Sequence, residues 1–175
     1  MSEETWITNV GESAWAAINT LWAACRLEGH RPTRVVVLTG SKPNLAPQRQ
    51  TFIQWAREIT AGYAGKAAKL HERVLDEEDM VKFSSALGEA IRQEREARRQ
   101  VLLDMTPGRK YMSAITLALG LRYGDTVRAI YYLLLRDNRY LDTYFPRIPS
   151  DVCMLYNLKK LYADPNGEVG PWPVS

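Results

Sequence analysis

Histidine and cysteine are scarce, with two of each in 175 residues. His30 stands in a Gly/Pro turn, Gly29-His30-Arg31-Pro32, and His71 in a charged strand candidate. Neither has a second ligand at fixed spacing, so both read as surface residues and a metal site has no anchor. Cys25 and Cys153, in WAACRL and DVCMLY, make no CxxC and read as reduced core residues. With an acidic start, Met1–Glu4, in place of a signal peptide, they predict a cytoplasmic protein. No apolar run nears the roughly 20 residues that span a bilayer. The longest, Ala129–Leu135, is strand-sized, so no membrane role is expected. Three motifs are also missing: a GxxxxGK-Ser/Thr loop, a GxGxxG after the first strand and a GxSxG elbow. Their absence argues against P-loop, dinucleotide-cofactor and triad-hydrolase chemistry in turn.

What is there is ordinary for a folded domain: 46% hydrophobic and 25% charged residues, enough to build one core. The net charge of +3 suits a partner with a few negative charges better than a long duplex. The charge-rich RQEREARR balances its signs and reads as a solvated helix face.

Periodicity alternates between strand and helix about five times. Thr5–Val10 is a strand, followed by a helix whose apolar face is Trp15, Ile18, Leu21/Trp22 and Cys25, with Ser13 placed to cap it. Arg34–Leu38 is a buried strand, and Asn44–Thr60 a helix with Pro47 in its first turn. Ala67–Leu75 reads as an edge strand and Asp76–Arg99 as a helix. Val101–Leu103 is a buried strand that leads straight into a helix presenting Met112, Ile115 and Leu119. Val127–Leu135 is another strand, and Val152–Tyr162 a last strand or a short helix. The Gly/Pro-rich tail from Asp164 is expected to lie extended along the surface or a partner. This order predicts an α/β fold: a Rossmann-like, mostly parallel sheet with helices on both faces. Residues 1–135 form that domain, and 136–175 an extension packed on it or on a partner copy.

In such a sheet ligands bind beyond the carboxyl ends of the strands. Three polar elbows fall there: Asn9 through Ser13, Thr39-Gly40-Ser41-Lys42, and Met105-Thr106-Pro107-Gly108-Arg109-Lys110. Each joins Gly to hydroxyls or cations, a combination suited to phosphate. The candidate ligand contacts are Asn9, Gly11, Glu12, Thr39, Gly40, Ser41, Lys42, Met105, Thr106, Pro107 and Gly108. Trp15, Trp22, Trp55, Tyr131 and Tyr132 read as core, whereas Tyr140, Tyr144 and Arg147 fall in an aperiodic stretch suited to a lid or a dimer contact.

Strand–TNVGES–helix, strand–LTGSKP and strand–LDMTPGRKYMS–helix, in that order, resemble the CARF domain, the CRISPR-associated Rossmann fold. The late elbow is similar to a Thr-Gly-Gly-Thr-Lys-like turn before Met-Ser, with Pro107 and Arg109 departing from it. The resemblance covers Thr5 to Leu135. It implies a homodimer whose paired edges hold a cyclic oligoadenylate, usually cyclic tetra-adenylate, the messenger of type III CRISPR systems. It implies no cofactor and no duplex nucleic acid. Beyond Leu135 the chain lacks the Arg-x-x-x-x-His of the family's ribonuclease partner, so the expected activity is that of a stand-alone ring nuclease. That enzyme cleaves the messenger without a metal, by attack of a ribose 2′-OH on its own 3′-phosphodiester. Lys110, with Arg109 as the second cation, would then stabilise transition-state charge and Ser13 would orient the 2′-OH or the phosphate. Two alternatives stay open: a sensor that binds the ring intact, and an unrelated Rossmann-like nucleotide-binding protein.

Overall fold

The computed structural model describes residues 3–76 and 78–163. β1 (Glu4–Val10) is buried along its whole length, as an inner strand of a parallel sheet must be. α1 (Ala14–Leu27) follows, then β2 (Arg34–Gly40), a 3-10 turn at Pro43–Leu45 and α2 (Ala46–Ala64). β3 (Lys69–Leu75), α3 (Met80–Glu96), β4 (Gln100–Asp104), α4 (Lys110–Arg122) and β5 (Val127–Leu135) continue the alternation. β6 (Cys153–Asn157) and α5 (Leu158–Ala163) close the described chain.

The six strands form one sheet in the order β3-β2-β1-β4-β5-β6. The first five run parallel, with Ile7 opposite Val36 on one side and Leu103 on the other. β6 departs from the parallel pattern and pairs antiparallel with β5. Lys159 at the start of α5 fastens this hairpin by donating to the carbonyls of Gly124 and Val127, each at 2.6 Å. β3, at the edge, alternates charged residues that keep its outer rim solvated.

Alternate residues of the inner strands point to opposite faces, and each face has its own core. Trp6, Val35, Val37, Leu102 and Tyr131 pack with α1 and α2; Ile7, Val36, Leu103 and Ile130 pack with α3 and α4. The helix layer therefore changes face between β1 and β4, which opens a crevice at the carboxyl edge there. α4 lies very close to the sheet at Gly120. A Cβ on that residue would meet Ile130 Cδ1 at 2.6 Å and Leu103 Cδ1 at 2.9 Å. Gly120→Val is expected to cost about 3 kcal/mol in a urea melt; a wild-type midpoint would show that the layer can shift.

Several expectations need correction. The Asp76–Arg99 helix is shorter, because the Asp79 side chain caps it at Lys82 N–H, and the second helix starts at Ala46 and runs on to Ala64. His30 is not a surface residue: it is buried, with Nδ1 2.9 Å from Glu4 Oε1 and Nε2 2.6 Å from the Tyr131 hydroxyl. Burial works to raise the Glu4 carboxyl. The His30 and Arg31 hydrogen bonds and the nearby charges outweigh it and hold Glu4 below the usual range. Tyr140, Tyr144 and Arg147 do not line the cleft of this chain: Tyr144 packs on Trp15, Trp22 and Trp55, with the Arg147 guanidinium over its ring. Those three tryptophans and Tyr132 are only partly buried, whereas Tyr131 is fully so. Both cysteines are buried and free. The tail from Asp164 lies outside the described residues.

Candidate functional site

The three elbows meet at the crevice. A Cβ on Gly11 would stand 3.6 Å from Gly108 Cα, so the first and third elbows touch backbone to backbone. Gly108 has φ +98°, and a side chain there would also strike Met112 Sδ at 2.9 Å; the turn requires glycine. Around this contact lies a cleft of about 460 Å³, a size usual for small-molecule sites.

Of the expected site residues, Asn9, Gly11, Glu12, Ser13, Thr39, Gly40, Thr106, Pro107, Gly108 and Arg109 line the cleft. Ser41, Lys42, Met105 and Lys110 do not. Lys110 is the first residue of α4 and exposed, whereas Arg109, one position earlier, is on the wall. Met105 is held in the fold by its backbone, N–H to the Tyr131 carbonyl and carbonyl from the Ser113 hydroxyl.

Side-chain bonds separate the two hydroxyls that the sequence treats alike. Ser13 occupies the N-cap position of α1 but its hydroxyl makes no capping bond. The neighbouring Ala14 N–H donates to Gln48 Oε1, at 3.1 Å. Ser13 is thus oriented by the helix and remains available to a ligand. Thr106 is the reverse case. Its hydroxyl accepts from the Leu133 N–H at 2.8 Å and is hydrogen-bonded to the Thr20 hydroxyl at 3.1 Å, so it fastens the elbow to α1 and β5. It does not cap α4, whose N-cap position is Arg109.

Behind Thr106 lies Asp104, the last residue of β4 and 1% exposed. Its Oδ1 accepts the Thr106 N–H at 2.9 Å and its Oδ2 is 2.8 Å from Thr8 Oγ1. Burial pushes this carboxyl up to about 7, against the lowering effect of bonds from Thr106, Thr8 and Thr20. At the mouth, one oxygen of Glu78 stands 3.3 Å from Lys42 Nζ and 4.0 Å from Arg109 Nη2. A carboxylate there bridges the second and third elbows.

The sequence reading missed the far wall. Leu38, Leu75, Phe83 and Met112 give the cleft an apolar floor, and Asp76 adds a second carboxylate beside Glu12. Leu75 and Asp76 end a parallel strand, so the rule that singled out the other elbows points to them too. The wall therefore joins helix beginnings and a cation for phosphate, carboxylates for N–H or O–H donors, and apolar side chains for a ring. Among the described residues, no group of three or more His, Cys, Asp or Glu could hold a metal ion, and no helix is long and apolar enough to cross a membrane.

The model of the family of CRISPR-associated protein NE0113 matches residues 57–152, more than half of the chain. The chain belongs to that family. The match runs from α2 through β5 and so includes the third elbow. Among solved structures, this NE0113-family chain is similar to Can2 from Sulfobacillus thermosulfidooxidans, solved in complex with cyclic tetra-adenylate. The TM-score is 0.60 at 19% identity, over 99% of this chain and 39% of that one. It is also similar to Enterococcus italicus Csm6 bound to cyclic hexa-2′-fluoro-hexa-dAMP, with a TM-score of 0.62 at 13% identity over 93% and 44%. A type III CRISPR defence DNA nuclease activated by cyclic oligoadenylate matches at TM-score 0.53 and 17% identity, over 91% and 20%. At these identities the likeness shows a shared fold, and the chain spans less than half the length of each of these three. No curated protein matches it.

Proposed function

We propose that this NE0113-family chain binds a cyclic oligoadenylate, most simply cyclic tetra-adenylate, and opens the ring. The observation that carries the reading is the cleft's mixed wall. Ser13 and Arg109 stand at the beginnings of α1 and α4, over a floor that includes Phe83 and Met112. Helix N-termini and a guanidinium favour phosphate, the floor takes an adenine, and Glu12 and Asp76 accept from ribose hydroxyls or the adenine amino group. Two copies with apposed edges would supply two such clefts to one ring, which is why the functional unit is a homodimer.

The reaction needs no protein nucleophile. The 2′-oxygen attacks its neighbouring phosphorus, the 5′-oxygen departs and takes up a proton, and a 2′,3′-cyclic phosphate and a 5′-hydroxyl result. Ser13 holds the 2′-OH in line, which is an orientation effect. Arg109 meets the non-bridging oxygens as charge gathers on them. Lys110, on the rim, contributes at longer range.

The test is to incubate the purified chain with labelled cyclic tetra-adenylate in EDTA. Linear product ending in a cyclic phosphate supports the reading; tight binding with no product supports the sensor. The sensor keeps one specific argument, since one structure of the same fold is of a nuclease activated by cyclic oligoadenylate. In either case Glu78 competes with a phosphate for Lys42 and Arg109. Glu78→Gln is expected to tighten ring binding about threefold, the scale of an exposed ion pair. Weaker binding in a fluorescence titration would mean that Glu78 supports the site.

A further inference from the structure

Asp104 is a carboxyl without an evident structural need to be acidic, placed one residue behind the third elbow. Both hydrogen bonds of Thr8 beside it can be made at once only if it is neutral. Thr8 Oγ1 lies 2.8 Å from Asp104 Oδ2 and 3.1 Å from the carbonyl of Asn9. A hydroxyl has one proton, so it cannot donate to both. If Asp104 is neutral the conflict vanishes: the carboxyl donates to Thr8 and Thr8 donates to the Asn9 carbonyl. Asn9 lines the cleft, and the other carboxyl oxygen holds the Thr106 N–H of the third elbow. One neutral side chain thereby links the first and third elbows.

Resting on the oligoadenylate reading, we infer that Asp104 is a positioning residue whose proton is linked to ligand binding: the elbows close on an anionic phosphodiester with Asp104 neutral. An ionised Asp104 would leave the Asn9 carbonyl without its Thr8 bond and place a buried negative charge near the phosphates. Both effects favour the protonated form in the complex. The groups that face Asp104 are hydroxyls from three elements: Thr8 on β1, Thr20 on α1 and Thr106 in the elbow. Its partner across β5 is Tyr131, a titratable group whose hydroxyl is bonded to His30 and pushed far up by burial. Glu4, farther along, is bonded to His30, Arg31 and Arg128. The carboxyl itself is poised at about 7, so the linkage falls near neutrality.

The experiment is calorimetric titration of the full chain with cyclic tetra-adenylate at pH 6 and pH 8, at pH 8 in two buffers of different ionisation enthalpy. Wild type is expected to take up close to one proton per chain at pH 8, and affinity per chain to fall up to about tenfold between the two pH values. Asp104→Asn should bind with no proton uptake and with affinity nearly level across that range. Wild-type binding without proton uptake overturns the inference alone, whether or not the variant folds. An Asp104→Asn variant that keeps the uptake overturns it too, because the proton then goes to another group. Absence of binding at both pH values overturns the oligoadenylate reading and this inference with it.

Discussion

Replacing Asp104 with asparagine is expected to stabilise the protein above neutral pH, by as much as roughly 4 kcal/mol at pH 8. The sign follows from the direction of the shift. An aspartate in the unfolded chain ionises near its model value of 3.8, while the folded carboxyl holds its proton up to about 7. Between those values the unfolded state releases a proton that the folded state keeps, so stability falls as pH rises from about 4 to about 7. Above that window the full penalty is in place; below about 4 it is nearly absent. Asparagine never ionises, and it can keep the Thr8 and Thr106 bonds, with one amide N–H left over. Its amide can donate to Thr8, leaving that hydroxyl for the Asn9 carbonyl, while its oxygen accepts the Thr106 N–H. Urea melts from pH 4 to pH 9 should show the variant's advantage growing through this window. A constant difference between the two proteins would mean that the carboxyl carries its charge at no cost.

Arg109→Ala should lower the single-turnover rate of ring opening by about 100-fold or more, with a much smaller loss of binding. Removing one group that meets transition-state charge in an otherwise organised site has an effect of that size. A loss confined to the rate means that the charge acts in the transition state, and equal losses in both would mean plain binding. Lys110→Ala, on the same grounds, should have a lesser effect. The two residues are adjacent in sequence, and only the placement of the elbow distinguishes them: Arg109 is on the cleft wall and Lys110 opens the exposed end of α4. If Lys110→Ala lowers the rate more, the rim lysine and not the wall arginine meets the charge, and the assignment reverses.

Much of the fold was legible in the chain because β2, β4 and β5 are short apolar runs and β1 alternates, each of the first four strands leading on to a helix. A parallel, doubly wound sheet leaves few other arrangements for such a pattern. The antiparallel last strand was not legible as such. Val152–Tyr162 has five residues of strand followed at once by a six-residue helix, and neither is long enough to impose a period. His30 was misread because a Gly/Pro turn is ordinarily exposed. Here the turn passes under the start of β1, where Glu4 and Tyr131 supply its two ring partners.

At the site, the elbows were visible and their division of labour was not. Ser13 and Thr106 are both small hydroxyl residues within two positions of a glycine or proline in an elbow. What separates them is bonding: Ser13 makes no capping bond, whereas Leu133 and Thr20 occupy Thr106. The partners of Thr106 are 27 and 86 residues away in the chain. No local pattern carries such information. Phe83 escaped for a similar reason: it sits on the apolar face of α3 and reads as core, which it also is.

The claim on which the account rests is that paired carboxyl-edge clefts hold a cyclic oligoadenylate. Titrating the chain with cyclic tetra-adenylate, with linear tetra-adenylate as the comparison, tests it most directly. Saturation at one ring per two chains, with the linear form binding far more weakly, is the result expected. No saturable binding, or equal affinity for the linear and cyclic forms, would contradict it.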